Sequence, residues 1–326
     1  MQFAHWLVII FSNFASSKHQ TLQFASSSQM MALSQIESLI ESFEKDASLL
    51  EPENFDERAD ALDFIEFYII EPLQFYLQSD SEREELMRLK SRIETLKLAL
   101  GRIDDKLFEQ LRAEIISGEC RGKAFEDLVG QYFDIANLDS SREGYDNLDV
   151  FINRVLSNRE IPEPTREPSP EMVSYQKTPA RVVFEIARKV GFKEKEVFFD
   201  IGSGLGQVAI LINLIAGIST RGIEFEPAFC NYAQDCAASL NASGTTFINT
   251  NACEADYSDG TVFFLYTPFK GDMLQQVLQR LKEESINRPI TIITHGPCTT
   301  EVIRENWLKP IKGNNGESQL AFFKSI

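Results

Sequence analysis

Apolar residues recur every three or four positions from Leu33 to about Leu156, which predicts a series of helices. The clearest stripe is interleaved with Glu, Lys and Arg and consists of Leu86, Leu89, Ile93, Leu96, Leu100, Ile103, Leu107, Leu111 and Ile115. Such a stripe needs a partner, either the apolar segment Phe55 to Leu77 of the same chain or a second copy in a coiled coil. The heptad spacing drifts after Leu100, which favours the internal partner and leaves the oligomeric state open.

Prolines interrupt this helical pattern between Asn158 and Pro179, at positions 162, 164, 168, 170 and 179. Because proline lacks a backbone donor and blocks the continuation of a helix, this stretch is predicted to be an extended connector. The sequence thus predicts an N-terminal extension or upstream start at 1–31, a helical domain at 32–157, the connector at 158–178 and a second domain at 179–326.

After the connector, apolar runs of strand length alternate with runs of helix length. Strands are predicted at 197–201, 220–223, 246–249, 262–266, 290–294 and 320–324, and helices at 179–190, 207–216, 227–240, 272–284 and 300–307. This alternation is typical of an α/β domain, in which helices cover both faces of a mostly parallel sheet.

A glycine-rich turn follows the first of these strands, in the segment VFFDIGSGLGQ at 197–207. Glycines at 202, 204 and 206 allow a sharp turn and let bare backbone approach a ligand, and the next helix presents free N–H groups. Dinucleotide-binding folds use G-x-G-x-x-G against a diphosphate, whereas this turn has G-x-G-x-G after Asp200. A carboxylate there suits a cationic amino-acid group, and S-adenosylmethionine carries an ammonium and no phosphate.

An acidic residue at the end of the next strand supports the same cofactor. Glu224 lies in TRGIEFEP, where a carboxylate can accept hydrogen bonds from both ribose hydroxyls. Glu226 is the competing candidate, but it lies one alternation further along the chain and is predicted to follow the strand end.

The charge balance bears on the partner. With 49 acidic and 32 basic residues the formal net charge is −17, which disfavours nucleic acid and favours a basic protein or a neutral small molecule as the partner.

Five cysteines without a C-x-x-C pair and three histidines argue against a disulfide framework and a metal site, and favour the cytoplasm. The apolar run Phe3 to Phe11 is too short to span a membrane, and Met30 or Met31 is the expected working start.

Several motifs together resemble a known family. Tyr175-Gln-Lys-Thr178, DIGSGLGQ at 200–207, Gly222-Ile-Glu224 and the segments at 251–274 and 290–295 are similar to the seven-strand protein-lysine methyltransferases. These are the histone-lysine enzymes without a SET domain and their archaeal relatives. The resemblance covers about 150 residues. It implies a Rossmann-like seven-strand fold of class I and S-adenosylmethionine as the cofactor.

The family's cofactor contacts carry over to matching positions. Tyr175 and Thr178 are expected to close over the methionine end, Asp200 to hold its ammonium, and the glycine turn with Gln207 to line its carboxylate. Glu224 is expected to bind the ribose. The full expected set is Tyr175, Thr178, Asp200, Gly202, Ser203, Gly204, Gly206, Gln207, Glu224 and, around the adenine, Asn251 and Ala252.

The reacting face is expected at Tyr266-Thr-Pro-Phe269, with Tyr266 and Phe269 as the catalytic residues. Here the sequence departs from the Asn-Asn-Phe of the histone enzymes. An apolar aromatic channel would lower the pKa of a lysine acceptor. His295 could act as a base, but a structural role for this residue is favoured.

The predicted function is N-methylation of protein lysine. The alternatives are a small-molecule methyltransferase, a catalytically silent scaffold that binds S-adenosylmethionine and, remotely, an NAD-binding oxidoreductase.

Overall fold

A computed structural model describes residues 33–77, 83–139, 141–312 and 320–326; the predicted N-terminal extension at 1–31 lies outside these residues. The chain forms two compact units. The first contains the chain up to Leu111 with Gln131–Phe133 and Gly144–Leu148, and the second contains Arg112–Gly130, Asp134–Glu143 and Asp149–Ile326. The helical part of the sequence therefore contributes to both units, and the predicted division at 158–178 stays a prediction.

The first unit is a helical bundle built on the apolar stripe. Its buried cluster joins Ile36 and Ile40, then Ile65, Ile69 and Leu73, with Leu86, Leu89, Ile93 and Leu100. The stripe thus packs against the apolar segment of its own chain, as the drift in spacing predicts. The helices are α1 Leu33–Lys45, α2 Phe55–Phe64, a π-helical turn Ile65–Ile70, α3 Glu71–Tyr76 and α4 Arg83–Ser117. The residues of α4 from Arg112 onwards belong to the second unit.

The second unit is built on a seven-stranded sheet. Helices α5 Lys123–Val129, α6 Asn147–Leu156 and α7 Ala180–Val190 precede the strands. There follow β1 Val197–Ile201, α8 Gln207–Ala216, β2 Ser219–Glu224, α9 Pro227–Ser239, β3 Thr245–Asn249, β4 Val262–Leu265, α10 Gly271–Asn287, β5 Thr291–Thr294, α11 Thr299–Val302, β6 Leu308–Lys312 and β7 Ala321–Ser325. The strand order is β3-β2-β1-β4-β5-β7-β6.

Only β7 runs against its neighbours in this sheet. It pairs antiparallel with both β5 and β6, whereas β1 to β5 are mutually parallel where they pair. This is the Rossmann-like seven-strand architecture that the resemblance implied. The strand that the hydrophobic pattern missed is β6, whose sequence LKPIK contains a proline. Proline is tolerated at a sheet edge, and the pairing is irregular between Pro310 and Lys312.

The strand order reverses between β1 and β4, and parallel α/β sheets bind ligands at such a reversal, beyond the carboxyl ends of the strands. The glycine turn follows β1 and the Tyr266-Thr-Pro-Phe269 segment follows β4, so both predicted parts of the site lie at this edge. Among the described residues, no helix is long and apolar enough to cross a membrane.

Candidate cofactor and acceptor site

The glycine turn is held in a conformation that favours glycine. The φ angles of Gly202, Gly204 and Gly206 are 83°, 51° and 82°, all in the left-handed region. The N–H groups of Gly202 and Ser203 both donate to the carbonyl of Ile223 in β2, over 2.9 and 3.0 Å. The turn is thus fixed to the neighbouring strand.

Tyr175 lies directly over the turn. A Cβ atom placed on Gly204 would come within 2.1 Å of the Tyr175 ring. The centroid of that ring is 5.7 Å from the Phe229 ring of α9. A residue from the predicted connector therefore covers the bare backbone of the turn, where the resemblance places the methionine end of the cofactor.

Glu224 reaches back from β2 to the same turn. One of its carboxylate oxygens accepts from the N–H of Gly204 over 2.7 Å, and the other accepts from the N–H of Glu226 over 2.8 Å. Burial raises the pKa of Glu224, and these backbone donors oppose the rise. Each carboxylate oxygen retains a second lone pair, so the group can still accept the hydroxyls of a ribose.

Asp200 is a buried acid next to this carboxylate. Its side chain is 4% exposed and accepts no hydrogen bond from the described residues. Burial, with a smaller contribution from the charge of Glu224, raises the pKa of Asp200 to about 8. A cationic ligand would favour the ionised form of this group, as expected for a carboxylate that holds an ammonium.

Two further buried polar atoms have no hydrogen-bond partner among the described residues, the hydroxyl oxygen of Ser203 and the amide oxygen of Gln207. The Gln207 amide nitrogen donates to the carbonyl of Thr178 over 3.2 Å, which leaves its oxygen to accept from a ligand. Buried polar atoms are nearly always satisfied, so these atoms indicate a missing polar partner. An amino-acid group supplies both donors and acceptors, and S-adenosylmethionine therefore fits the residues around Asp200.

The predicted adenine side lies after β3. The side-chain oxygen of Asn251 accepts from the N–H of Cys253 over 3.0 Å, which holds a turn. Ala252 is buried, and its carbonyl accepts the hydroxyl of Tyr257 over 2.8 Å. Their roles stay predictions, and the Asn251 amide nitrogen is the atom of this pair that is left to donate to a base.

The segment after β4 separates its two predicted catalytic residues. Tyr266 is half-buried, and its ring centroid lies 4.7 Å from that of His295. Thr267 has a φ of 44°, uncommon for a residue with a side chain, and its hydroxyl donates to the His295 carbonyl over 3.0 Å. Phe269 is 3% exposed and belongs to the hydrophobic core with Met273. Tyr266 therefore lies nearer the accessible edge, and the contact of Phe269 with an acceptor stays a prediction.

The predicted connector contributes further residues that the sequence reading missed. We call residues 165–178 the strap. Its start is fastened to Glu226, whose carboxylate accepts from the Thr165 hydroxyl over 2.6 Å, the Arg166 N–H over 2.7 Å and the Ala228 N–H over 2.9 Å. Burial raises the pKa of Glu226, but the hydrogen bonds together outweigh burial and lower it to about 2. Glu226 is thus committed to the strap, which leaves Glu224 as the ribose candidate.

Arg166 also contacts Phe225, the residue between these two acids. Its guanidinium carbon lies 5.2 Å from the centroid of the Phe225 ring, and one of its nitrogens donates to the Phe225 carbonyl over 3.2 Å. No local pattern could have predicted these contacts, because they join residues about 60 positions apart. The strap therefore belongs to the cofactor edge rather than being a spacer.

Replacement of Glu224 by alanine should remove cofactor binding. Hydrogen bonds to a charged group contribute about 1.5–3 kcal/mol each, so we expect at least about 100-fold weaker binding of S-adenosylmethionine and of S-adenosylhomocysteine. Isothermal titration measures both, and circular dichroism checks that the helices persist. Glu254→Ala is the control, because this exposed acid also follows β3 at the adenine side. Retained affinity in Glu224→Ala would contradict the placement of the ribose.

Two kinds of comparison with known proteins give matches. Residues 169–266 match the family "Histone methylation protein DOT1". A search of curated proteins finds no match. Among solved structures, an RNA methyltransferase from Salinibacter ruber in complex with S-adenosyl-L-homocysteine is 23% identical, covering 46% of this chain and 92% of its own, with a TM-score of 0.38.

Two further solved structures show a similar extent of match. A precorrin-6y C5,15-methyltransferase from Geobacter metallireducens GS-15 is 17% identical, covering 48% of this chain and 92% of its own, with a TM-score of 0.36. The magnesium protoporphyrin IX methyltransferase from Synechocystis PCC 6803, with bound S-adenosylmethionine, is 13% identical over 44% and 76%, with a TM-score of 0.33. With the seven-strand sheet and the glycine turn, the match over residues 169–266 identifies the C-terminal region as a class I, Rossmann-like, S-adenosylmethionine-dependent methyltransferase domain.

Proposed function

We propose that this protein transfers methyl groups from S-adenosylmethionine to lysine side chains of a basic protein. The observation that carries the proposal is the match to the histone methylation family, which begins in the strap and ends at Tyr266. It thus includes both the cofactor edge and the start of the predicted reacting face. The formal net charge of −17 favours a basic polypeptide over a nucleic acid as the partner.

The proposed chemistry needs orientation and a neutral amine more than a strong base. Bound S-adenosylmethionine supplies an electrophilic methyl group on a sulfonium. Asp200, Glu224 and the glycine turn bind and orient that cofactor, and orientation can account for up to ~7–11 kcal/mol of the barrier. In this proposal the Tyr266 hydroxyl holds the acceptor nitrogen, at the position where the histone enzymes have an amide.

The surroundings of Tyr266 favour a neutral acceptor. Burial raises the pKa of Tyr266, and the nearby positive charge of Arg181 opposes the rise, so the phenol stays protonated at neutral pH. Arg181 is 1% exposed, in α7, and donates to the carbonyl of Arg142 over 2.7 Å. The aromatic wall lowers the pKa of an incoming ammonium by desolvating it, which helps a lysine lose its proton. The carboxylate of Asp149, 4.0 Å from the Arg181 guanidinium, partly offsets the effect of that cation.

Substitutions at Tyr266 test its role on the reacting face. We expect Tyr266→Phe to reduce the rate of methyl transfer about tenfold and Tyr266→Ala about 100-fold. The phenylalanine variant loses only the hydroxyl, whereas the alanine variant also loses the aromatic ring. Affinity for S-adenosylhomocysteine should change less than about twofold in both. Tyr232→Phe is the matched control, because the hydroxyl of Tyr232, on α9, donates to the Arg159 carbonyl over 3.5 Å and lies outside the predicted reacting face. Turnover that is unaltered in Tyr266→Ala would remove Tyr266 from the reaction.

The acceptor itself is tested with radiolabelled S-adenosylmethionine and a mixture of basic proteins, followed by acid hydrolysis. Label recovered as methylated lysine supports the proposal. Label confined to small molecules would instead support small-molecule methylation. Cofactor binding without any transfer would favour the silent scaffold, which the departure at Tyr266-Thr-Pro-Phe269 keeps as the alternative. The cysteines are free thiols, and we propose the cytoplasm as the compartment.

A further inference from the structure

Glu171, in the middle of the strap, caps the helix that follows the acceptor segment. Its two carboxylate oxygens accept from the N–H groups of Asp272 and Met273, over 3.0 and 2.8 Å. These are the second and third residues of α10, where free N–H groups and the helix dipole favour a negative charge. A Cβ atom on Gly271 would come within 2.4 Å of a Glu171 oxygen, so a side chain at that position would displace the carboxylate.

The backbone at Glu171 and in the two residues after it is joined to the same segment. The N–H of Lys270 donates to the Glu171 carbonyl over 2.9 Å, and the N–H of Val173 donates to the Pro268 carbonyl over 3.0 Å. Met172 and Phe269 form an antiparallel bridge. The strap and the chain from Pro268 to Met273 are therefore connected by four hydrogen bonds.

The strap also reaches the cofactor edge within a very short distance. Tyr175, over Gly204, is two residues after Val173, and two residues span at most about 7 Å of extended chain. The chain between Tyr175 and the hydrogen bond of Val173 to Pro268 is therefore too short to allow large independent movements of its two ends. If a ligand on the turn displaces Tyr175, either the bridge between the strap and the segment at Pro268 must distort, or that segment must move with Tyr175.

We propose that Glu171 is a positioning residue that makes the strap and the acceptor segment one unit, so that cofactor binding beneath Tyr175 sets the position of Tyr266–Phe269. This deepens the proposed function and rests on it for the identity of the acceptor. The coupling itself concerns only cofactor binding and the segment after β4. It can therefore be measured without any acceptor.

Hydrogen exchange of the full chain, with and without S-adenosylhomocysteine, is the primary test. In the unchanged protein, ligand binding should slow exchange at Val173, Lys270, Asp272 and Met273 at least fivefold. In Glu171→Ala, affinity should stay within about threefold while the effect of the ligand on Lys270, Asp272 and Met273 is lost. Ligand binding that leaves these amides unaffected in the unchanged protein would overturn the proposal, whatever the acceptor proves to be.

Methyl transfer to the basic-protein mixture is the second readout. Glu171→Ala should lower kcat about 100-fold with the KM for S-adenosylmethionine within threefold, and Glu171→Gln, which keeps one acceptor oxygen, should recover about tenfold. Glu167→Ala, an exposed glutamate on the same strap, is the control for lost charge. A rise in the KM alone would show that Glu171 only supports the cofactor site and would refute the coupling.

Gly271→Ala provides an independent variant that keeps the carboxylate but displaces it. Gly191→Ala is its matched control, because Gly191 has a φ of 60° against 61° for Gly271 and meets no heavy atom within 4 Å of the added carbon. We expect the Gly271 variant to reproduce the kcat loss of Glu171→Ala and the Gly191 variant to retain full activity. Equal effects in the two would attribute the loss to backbone strain and would count against the proposal.

Discussion

Asp200→Asn is expected to stabilise the ligand-free protein near pH 8 while strongly weakening cofactor binding. The pKa of Asp200 rises from 3.8 to about 8 in the folded chain, so folding favours its protonated form. Its contribution to stability is complete below about pH 4 and is lost as the pH rises through about 8. At ~1.4 kcal/mol per pH unit, the loss is on the order of 5 kcal/mol, of which an asparagine should recover about half.

Thermal unfolding between pH 5 and 9 measures this effect. The melting temperature of Asp200→Asn should exceed that of the unchanged protein by about 5–10 °C at pH 8, and the difference should shrink towards pH 5. Asp63→Asn is the control, because burial and Asp60 also raise the pKa of Asp63, which lies in α2 of the other unit. That variant should bind the cofactor normally. A destabilised Asp200→Asn would contradict the raised pKa.

The same group should release a proton when the cofactor binds. Near pH 7 the free Asp200 is mostly protonated, and pairing with an ammonium favours its ionised form. We therefore expect affinity for S-adenosylmethionine to rise with pH up to about 8. Titrations in two buffers of different ionisation enthalpy give the number of protons released, which should fall by nearly one in any residual binding by Asp200→Asn.

Gly204→Ala is expected to eliminate cofactor binding through its contact with Tyr175. The added carbon would lie 2.1 and 2.3 Å from two ring atoms, and at a φ of 51° it also strains the backbone. The ring must leave its position over the turn, where the methionine end of the cofactor is expected to bind. We expect more than about 100-fold weaker binding in isothermal titration and about 1–2 kcal/mol of lost stability from the left-handed backbone.

Gly217→Ala separates these two contributions. Gly217 ends α8, has a φ of 67° and meets no heavy atom within 4 Å of the added carbon. It should lose a similar amount of stability and bind S-adenosylhomocysteine as the unchanged protein does. If Gly204→Ala binds S-adenosylhomocysteine as tightly as Gly217→Ala does, the ligand does not occupy the space next to the Tyr175 ring.

Local patterns predicted most of the sheet, because buried parallel strands are continuous apolar runs. The predicted strand at 197–201 matches β1 in both bounds, and 246–249 lies within β3. The edge strand β6 was missed because Pro310 argues against a strand unless a partner at the sheet edge is known. The helix predicted at 300–307 is only Thr299–Val302, since a short amphipathic run does not fix its own end.

The site was predicted where chemistry is local in sequence and missed where it is not. The glycine turn, Asp200 and Glu224 lie at strand ends, and strand order alone brings them together. Glu171 caps a helix about 100 residues further along the chain, and Thr165 meets Glu226 61 residues away. Prolines marked the strap as a linker because they exclude a helix, and an extended segment that crosses a sheet edge has the same local signal.

The hydrogen bonds of the strap define how short a working catalytic fragment can be. A fragment that begins at residue 179, the boundary suggested by the prolines, would keep all seven strands and the glycine turn. It would lack Tyr175, leave α10 without its cap and leave the carboxylate of Glu226 without two of its three partners. Such a fragment can have the sheet of a methyltransferase and yet be inactive. Truncations designed for crystallisation or screening should therefore begin before Thr165.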